Sequence, residues 1–202
     1  MTDVRFTKIL IWLNALVPLT LLGYDAFRGR LGANPVEFFL RTTGVLTLIF
    51  LLMTLSITPL RKITGVNQLI KFRRTLGLFA FFYGFVHLVT YLVFDRGVSL
   101  TGTAADVLQR PFIAFGMIAF FLMVPLAITS TNGMIKRLGG KRWQRLHRLV
   151  YISGALGVVH FWMIVKSDIS YPLIFAAILS VLLGYRMYVR IKPRLASVRS
   201  TA

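Results

Sequence analysis

The sequence predicts an all-α integral membrane protein, a six-transmembrane-helix bundle with both termini cytoplasmic. Three observations carry that prediction. Of the 202 residues, 56% are hydrophobic, 17 are Phe, and the mean hydropathy is +0.74. A soluble domain of this length needs far more polar surface. Six stretches lack charge and are long enough, or nearly so, to cross ~30 Å of hydrocarbon at ~1.5 Å per residue. Finally, the 24 Lys and Arg, set against 6 Asp and Glu, fall almost entirely between those stretches.

The stretches run over 9–24, 42–60, 75–94, 112–130, 149–165 and 169–185, within one domain covering 1–202. The first, fifth and sixth are short and borrow flanking residues. Arg5 and Lys8 ahead of the first give it the outline of a signal peptide. No A-x-A-like site follows, and Asn14 and Pro18 interrupt it, so an uncleaved helix is expected. Pro59 and Pro125 are expected to end or kink helices, the Phe-rich faces to meet lipid or pack, and Trp143 and Trp162 to lie at interfaces. The loop Lys62–Arg74 alternates apolar and basic residues, which suits a short interfacial helix or a docking surface for a cytosolic partner.

Orientation follows from the loops. With the N-terminus inside, 18 of the 24 basic residues and only Asp3 of the acids are cytoplasmic, a split of +17 against +1. The overall +18 is therefore a topology signal and an attraction to anionic membrane lipid, not a nucleic-acid footprint. The chain has no cysteine. That excludes iron–sulfur clusters, thiolate zinc sites and covalent c-type haem attachment.

Only three histidines exist, and His87 and His160 lie deep in apolar helices, where an ionisable side chain is a functional signal unless it merely bonds a neighbouring backbone. His87 lies ~18 Å and His160 ~20 Å from the inner surface, on two helices of the same direction. Two imidazoles facing each other at one depth are what axial ligation of a b-type haem iron requires. His147 sits at the inner level, where a second haem has room. Around an ideal helix His147 and His160 stand ~140° apart, a mismatch that a bulge at Gly154 or Gly157 would absorb. Facing His147 on the third helix is Arg73, ~40° off the His87 face, with Arg74 beside it. These arginines either pair with haem propionates or are positive-inside anchors. Zinc and catalytic-triad chemistry lack the necessary Cys, H-E-x-x-H and intramembrane carboxylate. A proton or cation transporter normally carries Asp or Glu within its spans, and here all six acids lie outside them.

The segments F-R-R-T-L-G-L followed by His87, I-T-S-T-N, L-G-G-K-R-W-Q-R-L-H-R-L-V-Y followed by His160, and L-G-A-N-P-V-E at Leu31–Glu37 together resemble one family over nearly the whole chain. It is the haem-binding membrane subunit of the periplasmic protein-methionine-sulfoxide reductase system (MsrQ, or YedZ), in the ferric-reductase-like transmembrane group. The resemblance implies a multi-pass bacterial inner-membrane subunit without substrate chemistry of its own. It would take electrons from the quinone pool or a cytosolic flavin reductase and pass them through haem b, one or two per chain, to a periplasmic molybdenum-containing reductase subunit. Some members also bind FMN. The matched positions are His87, His147 and His160 as iron ligands, with Arg73 where larger relatives carry a fourth histidine. The 17 residues after Tyr185 do not accommodate the fused FAD/NADPH domain of self-sufficient relatives, so the donor is expected to be another molecule. The alternatives are a stand-alone ferric-reductase-like cytochrome b and a non-redox transporter or scaffold.

Overall fold

A computed structural model describes residues 4–199, with side chains through residue 191. Asp3 and the side chains of Lys192, Arg194 and Arg199, three of the 18 basic residues counted at the inner face, lie outside the described residues. Among those described, every regular element is helical: α1 (Val4–Phe27), α2 (Pro35–Thr64), α3 (Arg73–Thr90), α4 (Leu100–Gln109), α5 (Pro111–Ile128), α6 (Asn132–Leu138), α7 (Gly140–Leu146), α8 (Leu149–Ile164) and α9 (Ser170–Arg199). A π-helical turn at Tyr91–Asp95 extends α3. Among the described residues, five helices are long and apolar enough to cross a bilayer: α1, α2, α3 with its π turn, α5, and α9 as far as Ile191. The chain is a multi-pass membrane protein. Helix α8 has 16 residues, or ~24 Å, against ~30 Å of hydrocarbon.

Local chemistry sets the helix ends. In L-G-A-N-P-V-E the Asn34 side chain accepts the Glu37 N–H at 3.2 Å, and Pro35 takes the first helical position, where no N–H is needed. Helix α2 thus begins seven residues before the expected span. It ends on Gly65, left-handed at φ 73°. In I-T-S-T-N, Thr129 closes α5 while the Thr131 side chain caps α6 on the Met134 N–H.

Helices α2 and α3 form one antiparallel pair, α5 and α8 another, and α9 lies against α8 and α2. Lipid offers no hydrophobic drive between helices, so association rests on close packing and on hydrogen bonds. Gly154 and Gly157 of α8 face Leu51 and Leu48 of α2, where a Cβ would come within 3.1 and 3.0 Å. The Ser153 hydroxyl donates to the Ala119 carbonyl at 2.8 Å. Tyr83, fully buried, donates to the Ala15 carbonyl and ties α1 to α3.

Three expectations meet a different geometry. The short helix expected in the Lys62–Arg74 loop is 3₁₀ rather than α and is confined to Asn67–Lys71. Gly154 and Gly157 leave α8 unbroken. The angular mismatch disappears for another reason: His147 precedes α8, as the C-cap of α7, so ideal-helix angles do not relate it to His160. Of the two roles expected for Pro59 and Pro125, ending a helix does not apply, since both lie inside their helices.

Candidate functional site

His87 on α3 and His160 on α8 converge, with ring centroids 6.1 Å apart and planes at 86°. Each Nδ1 meets a backbone carbonyl of a neighbouring helix: His87 donates to Leu40 of α2 at 2.9 Å, and His160 to Phe112 of α5 at 2.6 Å. A carbonyl can only accept, so each Nδ1 carries the proton and each Nε2 keeps its lone pair. This second bond is the device that orients metal-binding imidazoles. Each ring also lies against a glycine. A Cβ on Gly44 would stand 3.2 Å from His87 Cε1, and one on Gly116 would stand 2.8 Å from His160 Cε1.

The pair borders a cavity of about 290 Å³ between α2, α3, α5 and α8. Each of these helices lends it a glycine, Gly44, Gly84, Gly116 and Gly157, and its walls are otherwise mainly apolar, with Thr47, Tyr91 and the charged residues Glu37, Arg41, Asp95 and Arg110 also lining it. The described residues hold no cluster of three or more His, Cys, Asp or Glu suited to a metal ion. Two nitrogens alone cannot complete a tetrahedral zinc shell. They suit a metal whose other ligands arrive with a planar macrocycle, which is the donor set of bis-imidazole haem.

A second cavity, of about 260 Å³, lies at the opposite end of the helices and is bordered by Arg73, Arg74, Trp143 and His147. All three remaining candidate residues therefore share one site. His147 is held differently from the deep pair. Its Nε2 lies 3.0 Å from the Thr129 hydroxyl, whose proton is given to the Pro125 carbonyl. Nε2 is thus the donor, and Nδ1 keeps the lone pair. Trp143 stacks on the ring at 3.8 Å and donates Nε1–H to the Thr129 carbonyl at 2.8 Å. Burial, and then the charges of Arg73 and Arg74, lower the His147 pKa to about 4, so the ring is neutral at physiological pH. Met123 borders both cavities, and Phe81 of the second stacks on Phe120 of the first at 5.4 Å.

Sequence reasoning missed Arg186, which it counted among the basic tail residues. The side chain turns inward: Nη2 donates to the Leu55 carbonyl at 2.8 Å and Nε to the Tyr151 hydroxyl at 3.2 Å. Leu55 is four residues before Pro59, whose missing N–H leaves that carbonyl without its helical partner. An in-helix proline and a basic residue on the last helix were the available signals, but nothing in one sequence pairs them.

Residues 42–158 match the family described as ferric reductase like transmembrane component. The chain is 50% identical over 188 residues to a protein from Ralstonia nicotianae named protein-methionine-sulfoxide reductase heme-binding subunit MsrQ, covering 92% of this chain and 87% of that one. Proteins of the same name are 52% identical in Herminiimonas arsenicoxydans, over 90% of this chain and 84% of the relative, and 46% identical in Rhodospirillum rubrum, over 94% and 91%.

Proposed function

The chain belongs to the ferric-reductase-like transmembrane family and, within it, to the MsrQ heme-binding subunits of protein-methionine-sulfoxide reductase, and from that membership we propose that it is the transmembrane electron-transfer subunit of such a reductase. The observation that carries the reading is the imidazole pair, each ring anchored by Nδ1 to a backbone carbonyl and offering Nε2, at the edge of a glycine-lined intramembrane cavity.

In this reading His87 and His160 would hold the iron of a b-type haem through their free Nε2 atoms. His147 supplies a ligand through Nδ1 at the second cavity, with Arg73 and Arg74 set to pair with carboxylates or phosphates there. Bound haem supplies one-electron exchange between ferric and ferrous iron without making or breaking a substrate bond. The protein's part is to fix the imidazoles before binding, exclude water with apolar walls, and separate two sites along the helix axis. The basic end, with His147, faces the cytoplasm of a bacterial inner membrane and receives electrons from the quinone pool or a flavin reductase, with FMN a further candidate ligand for its arginines. The His160 end faces the periplasm, where a molybdenum-containing subunit reduces methionine sulfoxide.

The test is stopped-flow reoxidation of the chemically reduced protein. The isolated chain is expected to reduce no methionine sulfoxide. Adding the periplasmic reductase subunit should reoxidise the haem only when sulfoxide is present. Equal reoxidation with and without that subunit would refute the relay and favour a stand-alone ferric-reductase-like cytochrome. A protein without a reduced b-type absorption band would refute both.

A further inference from the structure

Helix α4, between α3 and α5, buries its charge and exposes its apolar side. A helix standing in water does the opposite. Its one charged residue, Asp106, is 6% exposed, whereas Leu100 and Leu108 are 81% and 86% exposed. The rest of the outward face, Thr101, Ala104, Ala105 and Gln109, is uncharged. Asp106 is matched from three directions. Arg96 forms an ion pair with it, Arg110 Nε lies 3.8 Å from Oδ1, and the Tyr91 hydroxyl donates to Oδ2 at 2.9 Å. Water would solvate a carboxylate without such help. In a medium of low dielectric the charge has to be paired and hydrogen-bonded.

The position of α4 agrees with its inverted face. Tyr91 lies one turn before the end of the spanning segment Arg73–Asp95. The start of α5, against which α4 packs, is level with His160, because His160 bonds the Phe112 carbonyl. Helix α4 therefore lies beside the last turn of two spanning helices, not above them. The chain is turned back by Gly97 and Val98 at φ 56° and 61°. Left-handed backbone is unfavourable for a β-branched residue, so the reversal is imposed by the surrounding structure. There the Val98 N–H donates to the Leu92 carbonyl at 2.8 Å.

We propose that α4 is a re-entrant helix immersed in the bilayer, with its Leu100–Leu108 face against the acyl chains of the leaflet at the His160 end. The ion cluster of Asp106, Arg96, Arg110 and Tyr91 makes that immersion possible. Lipid, not a soluble protein, is the occupant for two reasons. The outward leucines are exposed, as are Val93 and Phe94 at the end of α3, and the Tyr91 and Phe112 contacts set α4 at the depth of two spanning-helix ends, where acyl chains surround the bundle.

The absence of cysteine permits single-site labelling of the full chain in phosphatidylcholine–phosphatidylglycerol vesicles. Leu108→Cys and the smaller change Ala105→Cys would each carry an environment-sensitive fluorophore, with Arg30→Cys in the α1–α2 loop as the aqueous reference at the same end. Brominated lipid should diminish the fluorescence at 108 and 105, and aqueous iodide should not, with the reverse at 30. Iodide quenching at either α4 position overturns the proposal. If that quenching then disappears when the periplasmic reductase subunit is added, the face is a protein-docking surface instead.

Discussion

Each imidazole of the deep pair is held by a carbonyl on one nitrogen and by a glycine against its edge, and the two constraints are separable by mutation. His87→Ala or His160→Ala removes a donor and should abolish haem binding at that cavity, read from pyridine haemochrome content, while His147→Ala leaves that centre in place. Gly116→Ala keeps every donor but puts a methyl carbon 2.8 Å from the His160 ring. Overpacking of this kind costs about 1–3 kcal/mol, and here it acts on ring orientation, so the low-spin spectrum should change even where haem is retained. Gly44→Ala, with contacts of 3.2 and 3.3 Å, should do less, and Gly133→Ala, with nothing within 4 Å, should do nothing. An unchanged spectrum in Gly116→Ala would mean that His160 does not hold the iron. The histidines were legible in sequence because an ionisable residue in an apolar run stands out. Their partners were not, because Leu40 and Phe112 contribute backbone carbonyls, which any residue type possesses.

At the scale of elements, the joint between α2, α8 and α9 shows how a helix defect is accommodated. Pro59 deprives Leu55 of its intrahelical donor, and Arg186 replaces it from another helix while stacking over Tyr151 at 5.3 Å. A buried carbonyl left unsatisfied costs about 1–3 kcal/mol. Arg186→Met should therefore lower the thermal unfolding midpoint in detergent. The same change in a Pro59→Ala background should cost less, because replacing the proline restores an N–H to the Leu55 carbonyl. Additive losses in the double-mutant cycle would show that the arginine acts by its charge and not through this bond. The spans were readable from hydropathy, whereas their ends depended on caps. Asn34 with Pro35 moved the start of α2 outward, and Thr129 with Thr131 divided a run of small polar residues into the end of one helix and the start of the next. Helix α4 falls between the expected spans 75–94 and 112–130 and was not anticipated, since ten residues with a single charge give no clear helical period.

For the whole molecule, the alternation of helices groups the charges by end. All five described acids, Asp25, Glu37, Asp95, Asp106 and Asp168, lie at the His160 end, while the basic loops around Arg61–Arg74 and Lys136–Arg148 lie at the His147 end. The orientation this implies depends on α8, the one expected span too short to qualify on length. Two contacts argue that α8 crosses: His147, just ahead of it, bonds Thr129 at one end of α5, and His160 bonds Phe112 at the other. Helix α8 and its cap thus cover the same thickness as α5, and the shortfall in length is met by the residues on either side. Reporter fusions decide the point. Those at residues 67 and 138 and after residue 202 should report cytoplasm, and one at residue 32 should report periplasm. The C-terminal fusion is the sensitive one. If α8 stopped short of crossing, α9 would carry the C-terminus to the periplasm, and the positive-inside asymmetry would be violated by the basic tail. A periplasmic signal there would overturn the six-span topology and the electron path built on it.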